Sequence, residues 1–252
     1  MKKLYEKSEL WFALAWIIAY VVLFSAGDAV SSAIGIEKAV TVGIALVLTA
    51  VLLLWLKKEK LFSLYGLNRV EGQWKRYAFF LPLLLLVGVN FLGGVQRYKS
   101  AWETVFYLVS MLCVGILEEL LFRGLLFVCL KKINVKVAVL VGSLTFGAGH
   151  VMNLLTGAPI FSTLLQIVYA TAAGFLFTVL LLKTKSLLPC IVTHCAVNMT
   201  SAFAVEGGKG LEWLSALFLT VVSLAYALWL LRHDLGKKTN ERTELSKQEE
   251  RI

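Results

Sequence analysis

The sequence has little charge for its length. Asp, Glu, Lys and Arg make up 16% of the 252 residues, whereas hydrophobic residues make up 59% and the mean hydropathy is +0.78. A soluble domain does not reach this value, because its surface needs charge. A membrane β-barrel would instead show segments of about ten residues with alternating polarity. The composition therefore predicts an all-α polytopic membrane protein.

Cysteine is sparse and lacks the spacing of metal or redox motifs. The four cysteines all lie inside apolar runs, and none forms a Cys-x-x-Cys pair: Cys113, Cys129, Cys190 and Cys195. We interpret them as small packing residues, without a disulfide framework. The sequence also lacks His-Glu-x-x-His and Gly-x-Ser-x-Gly, which excludes a zincin-type site and a serine-hydrolase elbow.

Long apolar runs are plentiful. Crossing about 30 Å of hydrocarbon takes about 20 residues. Eight runs qualify: Leu10–Gly27, Ala39–Leu56, Ala78–Val95, Thr104–Leu130, Val137–Leu155, Ile160–Leu182, Leu187–Val205 and Leu211–Leu231. They predict about eight transmembrane helices in a single integral membrane domain over residues 1–252, with a solvated, charged tail at 232–252. The first run is longer than the apolar part of a signal peptide, so we interpret it as a retained span.

The positions of the basic residues predict an orientation. If the N-terminus is cytoplasmic, 20 of the 25 Lys and Arg residues fall on the cytoplasmic side, four fall outside, and Arg123 lies within the membrane. This bias agrees with the positive-inside rule. We therefore expect both termini to be cytoplasmic, and we expect the basic residues to contact anionic lipid head groups. Nucleic-acid binding is not expected, because the basic residues are spread over five segments without a recognition motif.

Three charged residues interrupt the fourth apolar run: Glu118, Glu119 and Arg123. Charges at membrane depth are costly unless they are paired or face a wet cavity, so they indicate a functional site. Residues four apart on a helix share a face, which predicts that Glu119 and Arg123 pair. Glu118 is rotated by about 100° from Glu119 and can point toward a site.

Two other spans carry polar residues at a similar depth. Span five contains His150, and span seven contains His194 and Asn198, which share a helix face. At about 1.5 Å per residue, these residues and Glu118 lie about 10–20 Å from the predicted cytoplasmic ends. We therefore expect them to converge. Three glycines near His150 predict a close helix approach or a local break: Gly142, Gly147 and Gly149.

This set of residues allows two chemistries. A glutamate and two histidines are the ligand types of a catalytic zinc site with an open position for water. Without a metal, Glu118 can act as a general base, while His194 and Asn198 can donate hydrogen bonds to an oxyanion. Both schemes hydrolyse a carbonyl compound with activated water, and the sequence does not separate them.

The three motifs resemble those of a known family. Glu118-Glu119-x-x-x-Arg123, Phe146-x-x-x-His150 and His194-x-x-x-Asn198 are similar to the motifs of CAAX-prenyl-protease type II and bacteriocin-processing enzymes, the CPBP or Abi family of intramembrane proteases. They occur in the family's order on separate predicted spans. The resemblance covers roughly residues 106–201, within a catalytic core at about 104–205.

The resemblance implies an eight-helix membrane endopeptidase whose site opens to the cytoplasmic side or to the bilayer. It implies that Glu118 is the water-activating base or a ligand and that His150 works with it. His194 and Asn198 would complete the site, and Glu119 with Arg123 would orient the motif. Family members are described both as metalloproteases and as metal-independent glutamate proteases. A zinc or other divalent ion held by Glu118, His150 and His194 therefore stays open.

The sequence thus predicts an intramembrane endopeptidase that acts on a membrane-associated peptide or protein, including prenylated substrates, in a bacterial plasma membrane. Two other functions compete with this interpretation. Membrane carboxylates and histidines also build proton relays, which would suit a proton-coupled transporter. However, the sequence contains none of the inverted repeats of many transporters. The other alternative is a non-catalytic immunity or regulatory protein of the same family.

Overall fold

Helices form nearly all of the chain in a computed structural model that describes residues 1–70, 80–205 and 207–233. The α-helices are α1 (Lys2–Lys7), α2 (Glu9–Ile34), α3 (Thr41–Lys58), α4 (Leu81–Gly88), α5 (Ala101–Glu118), α6 (Phe127–Lys131), α7 (Val135–Gly149), α8 (Ile160–Thr184), α9 (Leu188–Thr200) and α10 (Lys209–Arg232). Short 3₁₀ helices follow α4, α7 and α9, at Val89–Phe91, His150–Thr156 and Ser201–Phe203, and a π-helix, Glu119–Leu126, joins α5 to α6. Within this described part, the extended pairing consists of a single antiparallel bridge between Val95 and Ala204. The all-α prediction is confirmed.

Six helical segments of the described residues are long and apolar enough to cross a membrane. They are Glu9–Ile34, Thr41–Lys58, Ala101–Lys131, Val135–Thr156, Ile160–Thr184 and Lys209–Arg232. Two shorter apolar helices, Leu81–Phe91 and Leu188–Phe203, accompany them. The chain is therefore a multi-pass helical membrane protein, whereas the count of eight spans and the cytoplasmic termini stay predictions. The first residues of predicted span three and the predicted tail beyond His233 lie outside the described residues.

Local sequence signals set several helix starts. Ser100 and Glu103 form a capping box at the start of α5, in which each side chain binds the other residue's backbone N–H. The Asn134 side chain accepts hydrogen bonds from the backbone N–H groups of Lys136 and Val137 at the start of α7. Pro189 stands in the first turn of α9, where a proline costs little.

Helix α2 continues to Ile34, seven residues beyond the predicted end at Gly27. The apolar run stops there because Asp28 follows. In the fold, Lys38 Nζ donates to both oxygens of the Asp28 carboxylate, at 2.8 and 2.9 Å, and the Thr41 hydroxyl donates to Oδ1 at 2.6 Å. These partners satisfy the carboxylate, so α2 can continue past it.

The helix ends gather at two faces of the bundle. At one face, Lys132 binds Glu9 at 2.6 Å, and the Leu187 N–H donates to the Gly66 carbonyl at 2.7 Å. We call it the basic face, because thirteen described basic residues belong to its helix ends and connections: Lys2, Lys3, Lys7, Lys57, Lys58, Lys60, Arg69, Lys131, Lys132, Lys136, Lys183, Lys185 and Arg232.

The other helix ends form the opposite face. There Lys99 Nζ lies 2.6 Å from Glu37, and the Gln96 N–H donates to the Phe203 carbonyl at 2.9 Å. This face carries four described basic residues, which are Lys38, Arg97, Lys99 and Lys209. The difference in charge between the faces follows the distribution seen in the sequence.

Candidate functional site

The backbone changes from α-helix to π-helix between the two adjacent glutamates. Helix α5 ends at Glu118, and all eight residues of the π-helix, Glu119–Leu126, are buried. The π-helix packs against α2 and α7. Segments with i→i+5 hydrogen bonds are rare and occur frequently at functional sites. The sequence motif predicted regular helical spacing here, and the structure corrects this in the segment that carries Glu119 and Arg123.

Glu119 is fully buried and binds two partners through one oxygen. Its Oε1 accepts a hydrogen bond from Arg123 Nη1 at 3.0 Å and lies 2.9 Å from His194 Nδ1. The predicted Glu119–Arg123 pair is therefore present. The contact with His194 was not predicted, and it links the fourth predicted span to the seventh.

Arg123 is buried among aromatic rings. Its guanidinium carbon lies 3.9 Å from the centre of the Phe146 ring and 5.7 Å from that of Phe177. In the described part of the chain, its Nε and Nη2 atoms and the second oxygen of Glu119 have no hydrogen-bond partner. Cation–π attraction to the ring faces therefore supplements the single hydrogen bond to Glu119.

Glu118 occupies a different environment from its neighbour. Its Oε1 accepts a hydrogen bond from the Tyr20 hydroxyl at 2.6 Å, and its Oε2 lies 3.6 Å from His194 Nε2. Glu118 is 9% exposed to solvent, whereas Glu119 is fully buried. One oxygen of Glu118 is thus held by a short hydrogen bond, while the other faces His194.

His194 lies between the two carboxylates. A carboxylate at Nδ1 favours a proton on that nitrogen, because Glu119 Oε1 can only accept once it is ionised. Nε2 is then directed toward Glu118, as an acceptor when the ring is neutral and as a donor when it is charged. His194 is 8% exposed, and its ring is held by the contact with Glu119 and by packing against Phe146 and Phe177.

The site residues line one cavity of about 530 Å³. Its wall includes the side chains of Glu118, His150, His194 and Asn198. Glu119 and Arg123 do not line it and lie behind Glu118 and His194. The structure therefore brings four of the six predicted site residues to a shared space and places the other two as buried support.

His150 and Asn198 enter this cavity from helix ends. His150 follows the last residue of α7, where the backbone tightens into a 3₁₀ helix, and its ring packs edge-on against Phe146 at 5.5 Å between centroids. This is the predicted local break near His150. Asn198 lies one turn after His194 on α9, and both residues are partly accessible from the cavity.

Tyr20 is the site residue that the sequence did not predict. It lies in α2, in the part of the chain outside the three motifs, and a single tyrosine in an apolar helix carries no signal of its own. Its contact with Glu118 joins residues 98 positions apart. Only the packing of α2 against the π-helix reveals it.

The side chains as placed do not form a three-ligand metal site. Among the residues that the structure describes, no group of three or more His, Cys, Asp or Glu side chains is close enough to hold a metal ion. His194 directs Nδ1 to Glu119, and Glu118 gives one oxygen to Tyr20. The predicted metal-binding set Glu118, His150 and His194 therefore stays a prediction.

The fold and the site define a class: a multi-pass helical membrane protein with a carboxylate and two histidines around one cavity. Residues 100–200 match a model of the family described as type II CAAX prenyl endopeptidase Rce1-like. This match confirms the resemblance drawn from the three motifs, within a segment that makes up less than half of the chain. No curated protein and no solved structure matched the chain.

Proposed function

We propose that the protein is an intramembrane endopeptidase in which Glu118 activates water against a peptide bond of a membrane-associated substrate. The observation that carries this proposal is the different placement of the two glutamates. Glu118 lines the cavity together with both histidines, while Glu119 is sealed behind it. A water-activating carboxylate is expected in a protease, and residues 100–200 match the model of a protease family.

Hydrolysis needs a base that takes a proton from water and later returns it. In our proposal, Glu118 takes one proton from a water molecule while the water oxygen attacks the scissile carbonyl carbon. A tetrahedral oxyanion forms. The bond from carbon to nitrogen then breaks, and Glu118 delivers its proton to the leaving amine. The atoms and charges balance without any co-reactant.

The hydrogen bond from Tyr20 holds Glu118 in place during these transfers. At 2.6 Å, it fixes Oε1 and leaves Oε2 as the oxygen that faces His194. We assign proton acceptance to Oε2. His150 lines the same cavity, and we assign to it the positioning of the water molecule.

The oxyanion requires donors that are in place before the reaction. Asn198 and the Nε2–H of a charged His194 are the donors we assign to it. Glu119 supports this state of His194, because its Oε1 lies 2.9 Å from Nδ1. Arg123 in turn offsets the charge of Glu119, so the support costs less to bury.

Metal assistance is tested separately. The placement of the side chains leads us to expect that peptide cleavage by purified protein persists after exhaustive chelation. The measurement combines metal analysis of the purified protein with cleavage rates before and after chelation. If chelation abolishes cleavage and added zinc restores it, the result would instead support a metal site. In that site Glu118, His150 and His194 would come together when substrate binds.

The proposal is tested in cells by comparing peptide termini. Cells that produce the wild-type protein are compared with cells that produce Glu118→Gln, and mass spectrometry identifies new termini in membrane proteins and peptides. Glu59→Gln, a glutamate on the basic face, is the control variant. We expect termini that are present with wild type and Glu59→Gln and absent with Glu118→Gln.

Identical termini in all three strains, at equal protein levels, would contradict the proposal. If a cellular phenotype is then rescued equally by Glu118→Gln, the result favours a non-catalytic regulatory or immunity role. Solute flux in vesicles without peptide cleavage favours a proton-coupled transporter.

A further inference from the structure

The cavity lies in one half of the bundle only. The described helices that line it contribute residues from their middle or from the end away from the basic face. The lining residues closest to the basic-face ends of their helices are Leu86, five residues from the start of α4, His194, six residues from the start of α9, and Phe177, seven residues from the end of α8. At about 1.5 Å per residue, the cavity ends about 7 Å or more below the basic-face ends of these helices.

Toward the opposite face, the cavity reaches residues of the connections. Lys38 follows α2 on this face, and Thr156, at the end of the 3₁₀ helix after α7, is exposed and forms part of the cavity wall. Asp28, Tyr107 and Gln166 line the same region. We call these five residues the mouth. Polar side chains therefore mark a continuous route from Glu118 to the opposite face.

A dry layer separates the site from the basic face. Phe12, Phe127, Leu180 and Leu187 are each at most 2% exposed, and the rings of Phe12 and Trp55 lie 4.6 Å apart. Such a layer offers a polar peptide backbone no hydrogen-bond partners, so its passage would be costly.

Tyr65 closes the same layer from the connection after α3. It is 2% exposed, its hydroxyl donates to Tyr5 at 2.9 Å, and burial, aided by this hydrogen bond, raises its pKa well above the ordinary value. The connection after α3 is also joined to the start of α9 here, because the Leu187 N–H donates a hydrogen bond to the Gly66 carbonyl.

The difference in charge between the two faces indicates which face lies in the cytoplasm. The basic face carries thirteen described basic residues and the opposite face four. The positive-inside rule places the face with more Lys and Arg in the cytoplasm. From these observations we infer that the mouth opens to the extracytoplasmic side and that the substrate is a polypeptide segment presented from that side.

This inference rests on the proposed function for its substrate, and it differs from the opening to the cytoplasmic side or to the bilayer that the family resemblance implies. It also narrows the substrate class. A peptide that is exported, or that is anchored in the outer leaflet, reaches the mouth directly. A purely cytoplasmic tail would have to cross the dry layer first.

The test uses a membrane-impermeant maleimide on cells that produce Thr156→Cys. Ile133→Cys, at a 79% exposed position between α6 and α7 on the basic face, is the matched control, and the wild-type chain with its native cysteines is the blank. We expect label on Thr156→Cys in intact cells, and label on Ile133→Cys only after permeabilisation. The reverse pattern would overturn the inference. Labelling after detergent solubilisation checks that each variant is present and reactive.

A second arm joins the orientation to catalysis. Purified Thr156→Cys is reconstituted in vesicles, and peptide cleavage is compared before and after labelling with a bulky maleimide. We expect labelling to reduce cleavage, whereas labelling of Ile133→Cys leaves it unchanged. Equal cleavage with and without label at Thr156 would show that substrate does not use this mouth. An absence of cleavage in every sample would count against the proposed function and leave the labelling result intact.

Discussion

Two neighbouring carboxylates in this protein have different surroundings, and the change from α-helix to π-helix falls between them. Glu118 ends α5 and faces the cavity, while Glu119 begins the π-helix and is buried against Arg123 and His194. A charge in a low-dielectric environment is tolerated when it is paired and hydrogen-bonded. Burial of Glu119 thus depends on Arg123, and the orientation of His194 depends on Glu119.

At the residue scale, the first prediction concerns Tyr20. Tyr20→Phe removes the hydrogen bond to Glu118 and keeps the ring. A hydrogen bond to a charged group contributes about 1.5–3 kcal/mol, so kcat should fall about tenfold or more while KM changes little. Steady-state kinetics on purified protein measures both constants.

Tyr65→Phe is the control for that prediction. It removes a partly buried tyrosine hydrogen bond, to Tyr5, on the basic side of the bundle. Its kcat should stay near the wild-type value. Equal losses in the two variants would mean that Tyr20 supports the fold and does not position Glu118.

The second prediction at this scale concerns the buried pair. Arg123→Met leaves Glu119 buried without its cation and should lower the free energy of unfolding by about 3–5 kcal/mol. The double variant Glu119→Leu, Arg123→Met should recover most of this loss, because no unpaired charge remains. Unfolding in mixed detergent measures both.

The double variant should regain stability without cleaving peptides. It should be inactive, because His194 Nδ1 has lost its carboxylate partner. If the double variant is as unstable as Arg123→Met, the charge argument is contradicted. If it is active, the assigned role of Glu119 is contradicted.

At the element scale, the packing of α7 against α8 positions His150. A Cβ atom on Gly147 would lie 2.7 Å from the Ile167 carbonyl oxygen and would also clash with Thr171. The obstacle includes backbone, which cannot move without shifting α8. By contrast, a Cβ on Gly142, on the same helix, would meet nothing within 4 Å.

These two glycines form a matched pair. Gly147→Ala should cost about 1–3 kcal/mol of stability and reduce cleavage, because α7 and His150 are displaced. Gly142→Ala should leave stability unchanged or slightly raised, since alanine is the better helix former. Thermal unfolding and cleavage rates compare the variants. Similar behaviour of the two would contradict the role assigned to the α7–α8 contact.

The sequence predicted these elements unevenly. Of the three glycines expected near His150, Gly147 lies at a close approach, whereas a Cβ at Gly142 or Gly149 meets open space. Hydropathy located the helices, because burial in lipid requires long apolar runs. The π-helix was not predictable, since no residue preference marks it. The contacts of Glu118 with Tyr20 and of Glu119 with His194 depend on long-range packing.

At the scale of the whole molecule, the two halves of the bundle have different tasks. The half near the basic face holds a dry aromatic and aliphatic layer, and the other half holds the cavity and its polar residues. A closed layer on one side lets a site hold water while the membrane stays sealed. Basic residue counts in the sequence already indicated the two faces, but the location of the cavity between them required the fold.

The central claim is that Glu118 is the base of a peptide hydrolase. The most direct measurement is the rate at which purified protein in lipid vesicles cleaves a membrane peptide, compared among wild type, Glu118→Gln and Glu59→Gln. Removing a general base typically lowers a rate by about 10²–10⁴-fold, so this loss is predicted for Glu118→Gln and not for Glu59→Gln. A Glu118→Gln protein that unfolds at the wild-type temperature and cleaves at the wild-type rate would contradict the account.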